Sequence, residues 1–232
     1  AARLKFMKSK SIKIFEKAAP SYDQWYQKSV GNYAFKSELK GLESLLPPSG
    51  FGCDIGAGTG IFAKNLLRKD RNVLCLDPSQ MMLKKSKDKK LSSILATSEA
   101  LPFRPGTLDF AYMITVIEFL ADPRHALRSI GAALTQQAPL VIEFINRESA
   151  WGEMYSKKAE GGDLIFSNAQ LYTLMEISSI LRDAGFTVLD LLGTLHSPPD
   201  ECPERIELTE TTTNAGVIVV KAEIAPEIKE KI

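Results

Sequence analysis

The chain has 232 residues, of which 44% are hydrophobic and 25% are charged, and its formal net charge is +1. This length suits one α/β domain with additions, and this composition excludes a chain that is mainly disordered. Because basic and acidic residues nearly balance, the overall charge gives no reason to expect nucleic acid or an anionic membrane surface as a partner.

Neither a membrane span nor a secretory signal is predicted. Residues 109–121 form the longest apolar stretch, which Glu118 interrupts and which is shorter than the roughly 20 residues that cross a bilayer. Lysines recur near the N-terminus, where a signal peptide needs an uninterrupted apolar block. The cysteines, Cys53, Cys75 and Cys202, form no CxxC pair, so we expect no metal site and no disulfides and predict a cytoplasmic protein.

From about Gly50 onward, short apolar runs alternate with helical stretches. This pattern predicts an α/β, Rossmann-like sheet of seven mostly parallel strands with helices on both faces. Only the polar stretch 196–214 separates the last two strands, 186–193 and 216–223, which predicts an antiparallel C-terminal pair. The other strands are predicted at 51–55, 72–76, 92–96, 108–115 and 139–145. Helices are predicted at about 60–69, 79–90, 123–134 and 168–184.

Two segments lie outside this alternation. Residues 1–48 are predicted to be an N-terminal helical segment, which the prolines at 47 and 48 separate from a sheet domain at 49–232. Residues 146–168 form a polar insertion that carries Trp151 and Tyr155. An insertion of this length beside a sheet is often functional, and surface decoration explains it equally well. All of these parts are expected to form one compact unit.

A glycine-rich turn joins the first strand of the sheet to its first helix. Residues 54–60 read DIGAGTG, and the missing Cβ atoms of the three glycines let a ligand approach the backbone closely. A dinucleotide fingerprint needs G-x-G-x-x-G, but position 61 is isoleucine where the third glycine would fall. A P-loop needs Gly-Lys-Ser/Thr after the turn, and that is absent too. The turn therefore predicts a ligand-facing loop of another type.

The order of motifs resembles the class I S-adenosylmethionine-dependent methyltransferases, in particular the small-molecule branch that includes ubiquinone/menaquinone and biotin-synthesis enzymes. The run at 54–60 is similar to the family's first motif, and Asp77 ends the second strand 19 residues after Gly58. A carboxylate at that place can accept both hydroxyls of a ribose. The stretches 78–83 and 97–103 resemble the segments of the family that flank the adenosine. The resemblance covers roughly residues 11 to 222.

This resemblance implies S-adenosylmethionine as cofactor, with S-adenosylhomocysteine as its product. The implied cofactor-binding residues are Asp54, Gly56, Ala57, Gly58, Thr59, Gly60, Asp77, Pro78, Ser79, Met82, Thr97, Ser98, Glu99 and Ile114. Residues 22–26 resemble the lid of these enzymes, which gives residues 1–48 the role of a lid over the substrate. The implied substrate-pocket residues are Tyr22, Trp25, Tyr26, Glu118, Trp151 and Tyr155.

The sequence departs from the family in ways that concern the acceptor. Thr97 stands where many relatives carry aspartate, and the paired histidine that is common near Glu118 is missing. The quinone-methylating enzymes carry Met-Asn where this chain has Trp25-Tyr26, so that particular activity is not assigned. No catalytic residue is assigned either, because Glu118, Tyr26 and Glu143 are all candidates for a base.

The resemblance therefore predicts methyl transfer to a small-molecule acceptor. One alternative is a binding or regulatory protein that has kept the fold and lost the activity. A weaker alternative is an RNA methyltransferase, which the lysine-rich run at 84–90 could indicate. That run is more simply one solvated helix face, because no aromatic residues interleave with the lysines for base stacking. The acceptor and the oligomeric state stay open.

Overall fold

The structure, a computed structural model, describes residues 2–201, 203 and 205–226, with side chains from residue 10 onward. Within these residues, seven α-helices flank a single eight-stranded sheet. The strands are β1 Gly50–Ile55, β2 Arg71–Asp77, β3 Ser93–Leu95, β4 Phe110–Ile114, β5 Leu140–Ile145, β6 Phe186–Thr194, β7 Leu208–Thr209 and β8 Val217–Ile224. The helices are α1 Ala2–Ala18, α2 Ser29–Leu45, α3 Ile61–Leu66, α4 Gln80–Asp88, α5 Pro123–Ala133, α6 Ala150–Glu160 and α7 Leu174–Asp183.

The strand order in the sheet is β3-β2-β1-β4-β5-β8-β6-β7. Strands β1 to β5 are parallel, and β8 runs antiparallel to both β5 and β6. This arrangement confirms the predicted Rossmann-like sheet with its antiparallel C-terminal pair. The additional strand, β7, lies within the polar stretch 196–214 and pairs with the end of β6. Because β7 has only two residues, it is too short to show an alternating pattern in the sequence.

Two cores lie on opposite faces of the sheet, as β4 illustrates. Phe110, Tyr112 and Ile114 pack beneath helices α2, α3 and α4, whereas Ala111 and Met113 pack beneath α5 and α7. All five residues are buried, since a central parallel strand is covered on both faces. The helices of the sheet therefore occupy both faces, as predicted.

The chain order reverses at the centre of the sheet. From β1 the chain proceeds outward through β2 and β3, and it then returns to build β4 and β5 on the other side of β1. In such sheets a crevice opens beyond the carboxyl ends of the two strands where the order reverses, and ligands bind there. The site is therefore expected beyond the ends of β1 and β4.

The N-terminal helices reach this crevice through a 3₁₀ turn at Tyr22–Gln27. Helix α2 packs on β5, β6 and β8 and begins directly against this turn. The close approach requires Gly31, because a Cβ atom at that position would lie 2.0 Å from the Trp25 carbonyl oxygen. None of the described helices is long and apolar enough to cross a membrane.

Candidate active site

A cavity of about 360 Å³ lies beyond the carboxyl ends of the central strands. Its volume is within the range of small-molecule sites. On one side the cavity is lined by the ends of β1, β2 and β4, and on the other by residues next to β5, β6 and β8. The 3₁₀ turn Tyr22–Gln27, helix α6 and residues of α1 and α2 contribute further walls.

Six of the predicted cofactor residues line the first side of the cavity. They are Gly56, Gly58, Asp77, Pro78, Met82 and Ile114. Gly58 has a left-handed φ of +54°, and only the Met82 sulfur, at 4.0 Å, lies near the position of a Cβ atom. The backbone at Gly58 therefore lies next to open space that a ligand can fill.

Asp77 is held in place by two backbone donors. Its Oδ2 accepts a hydrogen bond from the Gly58 N–H at 2.9 Å, and its Oδ1 accepts one from the Ser79 N–H at 2.7 Å. Burial raises the pKa of Asp77 to about 6, against the lowering effect of these two hydrogen bonds. Because each carboxylate oxygen has more than one lone pair, the fixed carboxylate can still accept two hydroxyl groups from a ligand in the cavity.

Five other predicted cofactor residues lie in or next to the glycine turn, outside the cavity lining. Asp54 is buried at the end of β1, where burial raises its pKa to about 8. Gly60 precedes α3 with a φ of +72°, and Ser79 caps the N-terminus of α4 through the N–H of Met82. Thr59 donates a side-chain hydrogen bond to Asp23 of the 3₁₀ turn Tyr22–Gln27. Ala57 packs next to the core beneath α2, α3 and α4.

The segment after β3 lies beside the cavity rather than in its wall. Thr97, Ser98 and Glu99 do not line the cavity, although Ala96, just before them, donates a backbone hydrogen bond to the Asp77 carbonyl oxygen. Ser129 of α5 donates a hydrogen bond to the Glu99 carbonyl oxygen at 3.1 Å and fixes the segment there. Their predicted role in binding the cofactor stays a prediction.

Five of the six predicted substrate-pocket residues line the second side of the cavity: Tyr22, Trp25, Tyr26, Trp151 and Tyr155. Trp151 is fully buried and donates from Nε1 to the Ser197 carbonyl oxygen at 2.9 Å. Tyr155 stacks on Phe166 with a centroid distance of 4.1 Å, so the insertion at 146–168 forms a wall of the cavity.

Glu118 does not line the cavity, unlike the other predicted pocket residues. Its Oε1 accepts a hydrogen bond from the backbone N–H of Ile145 at 2.9 Å, which places the carboxyl group behind that wall residue. Burial raises its pKa to about 7. Of the other two candidate bases, Tyr26 lines the cavity but burial raises its pKa well above the usual value, and Glu143 is buried within β5.

Sequence reasoning missed Glu38, which lines the cavity from α2. Its side chain is only 6% exposed, and burial followed by the charge of Glu118 raises its pKa to about 8. A signal was present, because Glu38 falls on the same helical stripe as the buried Ala34, Leu42 and Leu45. A glutamate among apolar residues at this spacing indicates a buried carboxyl group.

Asp23 fastens the 3₁₀ turn Tyr22–Gln27 to the glycine turn and to Lys89. Asp23 of the 3₁₀ turn accepts a hydrogen bond from the Thr59 hydroxyl and another from Lys89 Nζ at 2.8 Å. Lys89 Nζ also donates to the Thr59 carbonyl oxygen at 3.0 Å. These three residues, which we call the clasp, connect the 3₁₀ turn with the glycine turn and with the end of α4.

Asp23→Asn is expected to loosen the clasp without disturbing the fold. The ion pair is partly exposed, so its loss should cost about 0.5–1.5 kcal/mol and speed the release of S-adenosylhomocysteine roughly two- to tenfold. Stopped-flow fluorescence of the lid tryptophan gives this rate. Asp70→Asn is the control, since Asp70 is exposed and contributes only its backbone to a described hydrogen bond. Equal release rates from both variants would show that the clasp does not restrain the lid.

Comparison with known proteins identifies the family. A family model described as a methyltransferase domain matches residues 27–191. The chain belongs to this methyltransferase family. A crystal structure from Thermotoga maritima, described as a S-adenosylmethionine-dependent methyltransferase and possible histamine N-methyltransferase, is 30% identical with a TM-score of 0.84. The match covers 92% of this chain and 99% of the Thermotoga chain.

Two further relatives differ in how much of the methyltransferase they match. An uncharacterised protein of Methanocaldococcus jannaschii is 28% identical over 91% of this chain and 99% of its own length. The 18S rRNA (guanine(1575)-N(7))-methyltransferase of Saccharomyces cerevisiae is 32% identical, but over only 47% of this chain and 46% of its own length.

The methyltransferase is an S-adenosylmethionine-dependent enzyme of class I, and its cavity fits that cofactor. The fixed carboxylate of Asp77 suits a ribose, and the open space at Gly58 suits a ligand that passes close to the backbone. When bound, the cofactor supplies a methyl group on a sulfonium, which is a good leaving group. What the protein must add is alignment of the acceptor and exclusion of water.

Proposed function

We propose that this methyltransferase acts on a small organic molecule, which binds between the lid (residues 1–48) and the insertion (146–168) of the sheet domain (49–232). The observation that carries the proposal is the continuity of the cavity. One lining includes both Asp77 and Gly58 on the cofactor side and the aromatic Trp25, Trp151 and Tyr155 on the other. An acceptor held among these rings lies next to the methyl donor, shielded from water.

The Thermotoga maritima relative supports a small acceptor, because it is described as a possible histamine N-methyltransferase. The yeast rRNA methyltransferase favours a second candidate, an RNA acceptor, but it matches less than half of this chain. A nearly neutral net charge and a second cavity side that is rich in aromatic residues support the small molecule. An extended RNA strand would need a basic groove for its phosphates.

We also propose that the protein acts in the cytoplasm. Cys53 and Cys75 are buried and free, which agrees with a reducing compartment, and Cys202 lies outside the described residues.

A methyl-transfer assay on cell fractions tests the proposed acceptor. The protein is incubated with tritium-labelled S-adenosylmethionine and either a small-molecule extract or total RNA. Label is expected in the small-molecule fraction and not in RNA, and Asp77→Ala should abolish most of it. Label in RNA alone would contradict the proposal. Binding of the cofactor without transfer to either fraction would favour the regulatory alternative.

A further inference from the structure

The Glu38 carboxyl group is a buried acid without a partner. The side chain lines the cavity and is 6% exposed, and no described residue donates a hydrogen bond to its carboxyl group. A buried carboxyl group normally has a counter-ion or hydrogen-bond partners, since an unpaired polar group is costly to remove from water in either protonation state. The missing partner of Glu38 therefore points to a ligand that supplies it.

The groups around Glu38 add negative rather than positive charge. Glu118 raises the pKa of Glu38, and Glu38 in turn adds to the effect of burial on Glu143. Glu143 lies close to α2, as the distance of 2.9 Å between its Oε1 and the position of a Cβ atom at Gly41 shows. Among the described residues, no three His, Cys, Asp or Glu side chains are grouped so that they could hold a metal ion.

The only basic side chain in the described lining makes no ion pair with Glu38. Lys158 is exposed, and its Nζ lies 5.2 Å from the centroid of Tyr155 and 5.9 Å from that of Phe166. Its ammonium group therefore has a cation–π contact instead of a carboxylate partner. Within the described lining, Glu38 is left without a counter-ion.

The aromatic walls favour a cation in the same place. Burial and the charge of Glu38 raise the pKa of Tyr22 to about 12, with a further contribution from Asp77. Tyr22, Tyr26 and Tyr155 line the same cavity as Glu38. Aromatic faces attract ammonium groups most strongly where water is excluded.

Resting on the function proposed above, we propose that the acceptor is a small primary or secondary amine. Its ammonium group binds to the Glu38 carboxylate among Tyr22, Tyr26 and Tyr155, and Glu38 accepts the proton that must leave before transfer. Glu38 is thereby assigned as the catalytic base.

The proton transfer is required because a protonated amine has no free electron pair. Glu38 takes one proton and leaves a neutral amine. The amine nitrogen then forms a bond to the methyl carbon while the carbon–sulfur bond breaks, and that electron pair stays on the sulfur of S-adenosylhomocysteine. The product leaves as a methylated ammonium ion, and Glu38 returns its proton to solvent. A carboxyl group with a pKa near 8 is well matched to this task at neutral pH.

Binding of three related probes to the protein loaded with S-adenosylhomocysteine tests the amine site. The probes are 2-phenylethylamine, its trimethylated quaternary form and the neutral 2-phenylethanol. Both cations are expected to bind at least about tenfold more tightly than the alcohol at pH 8. Affinity for the quaternary probe should rise between pH 6 and pH 9, because its own charge is constant while Glu38 ionises.

Two variants test whether the preference for cations arises from Glu38 or from the rest of the cavity. Glu38→Gln should remove both the preference for cations and the pH dependence, while the Kd for S-adenosylhomocysteine stays within about twofold. Glu160→Gln is the matched control, since Glu160 is exposed on α6 outside the cavity lining, and it should behave as the wild type.

Three other results would each refute a different assignment. If the wild-type protein binds the amine and the alcohol equally tightly, the amine site is refuted, whereas the proposed function still stands. A Glu38→Gln variant that loses S-adenosylhomocysteine rather than the cations would show that Glu38 contacts the cofactor, which also refutes the proposal. Failure of the wild type to bind S-adenosylhomocysteine would instead count against the proposed function itself.

Discussion

Asp77→Ala is expected to weaken S-adenosylmethionine binding by about 1.5–3 kcal/mol, or roughly ten- to 150-fold in Kd. The substitution removes the expected acceptor of the ribose hydroxyls and also leaves the N–H groups of Gly58 and Ser79 without their present partner. The glycine turn then loses the anchor that joins it to the end of β2. Isothermal titration calorimetry measures the affinity directly.

Two controls separate loss of the ribose contact from loss of the fold. Asp70→Ala changes an exposed aspartate just before β2 and should leave the affinity unchanged. Urea unfolding of Asp77→Ala shows whether the protein is folded at the temperature of the titration. A folded Asp77→Ala variant with wild-type affinity would refute the role of Asp77.

Glu143→Met is expected to stabilise the protein at pH 8 by about 1–3 kcal/mol. Glu143 is fully buried in β5, and neither of its carboxyl oxygens has a hydrogen-bond partner among the described residues. Burial, and then the charge of Glu38, raises its pKa well above the usual value. A methionine of similar length removes the buried polar group and still fills the space against Gly41.

Buried carboxyl groups with raised pKa values determine how the stability of the protein depends on pH. Burial raises the pKa of Glu38 and Asp54 to about 8 and that of Glu118 to about 7. In the unfolded chain these groups ionise near pH 4 to 4.5, so the folded state binds more protons above that pH. The contribution of each group to the free energy of unfolding is therefore fully present below about pH 4. It is lost as the pH rises through the pKa of the folded state, at about 1.4 kcal/mol per pH unit.

Urea unfolding at pH 5 and pH 8 measures both effects. The wild type should lose stability between these values, and Glu143→Met should lose less because one raised group is gone. Glu148→Met, at an exposed position, should follow the wild type. Equal or greater stability of the wild type at pH 8 would contradict the assignment of buried, protonated carboxyl groups.

The sequence locates the cofactor side better than the acceptor side, for a physical reason. The glycine turn and Asp77 follow directly from strand ends, and their spacing is limited by the geometry of one β-α-β unit. Their positions were therefore predictable from the chain order alone. The clasp was not, because Asp23 and Lys89 are 66 residues apart and meet only through the packing of the N-terminal segment against α4.

The acceptor side depends on how elements pack rather than on spacing. Glu118 was predicted in the pocket, but a short 3₁₀ turn at Ile117–Phe119 directs its carboxyl group to the backbone of Ile145. Glu38 lies on a helix whose position over β5 and β8 the sequence does not specify. The direction of a side chain at the end of a strand or on a helix face becomes predictable only when its neighbour is known.

A crystal structure of the protein with S-adenosylhomocysteine would show whether the cofactor and the amine occupy the two sides of one cavity. The ribose hydroxyls are expected on the Asp77 carboxylate and the sulfur is expected to face the part of the cavity lined by Tyr22 and Tyr155, with Glu38 free of the ligand. A nucleoside bound elsewhere, or an amino-acid portion bound to Glu38, would contradict this arrangement.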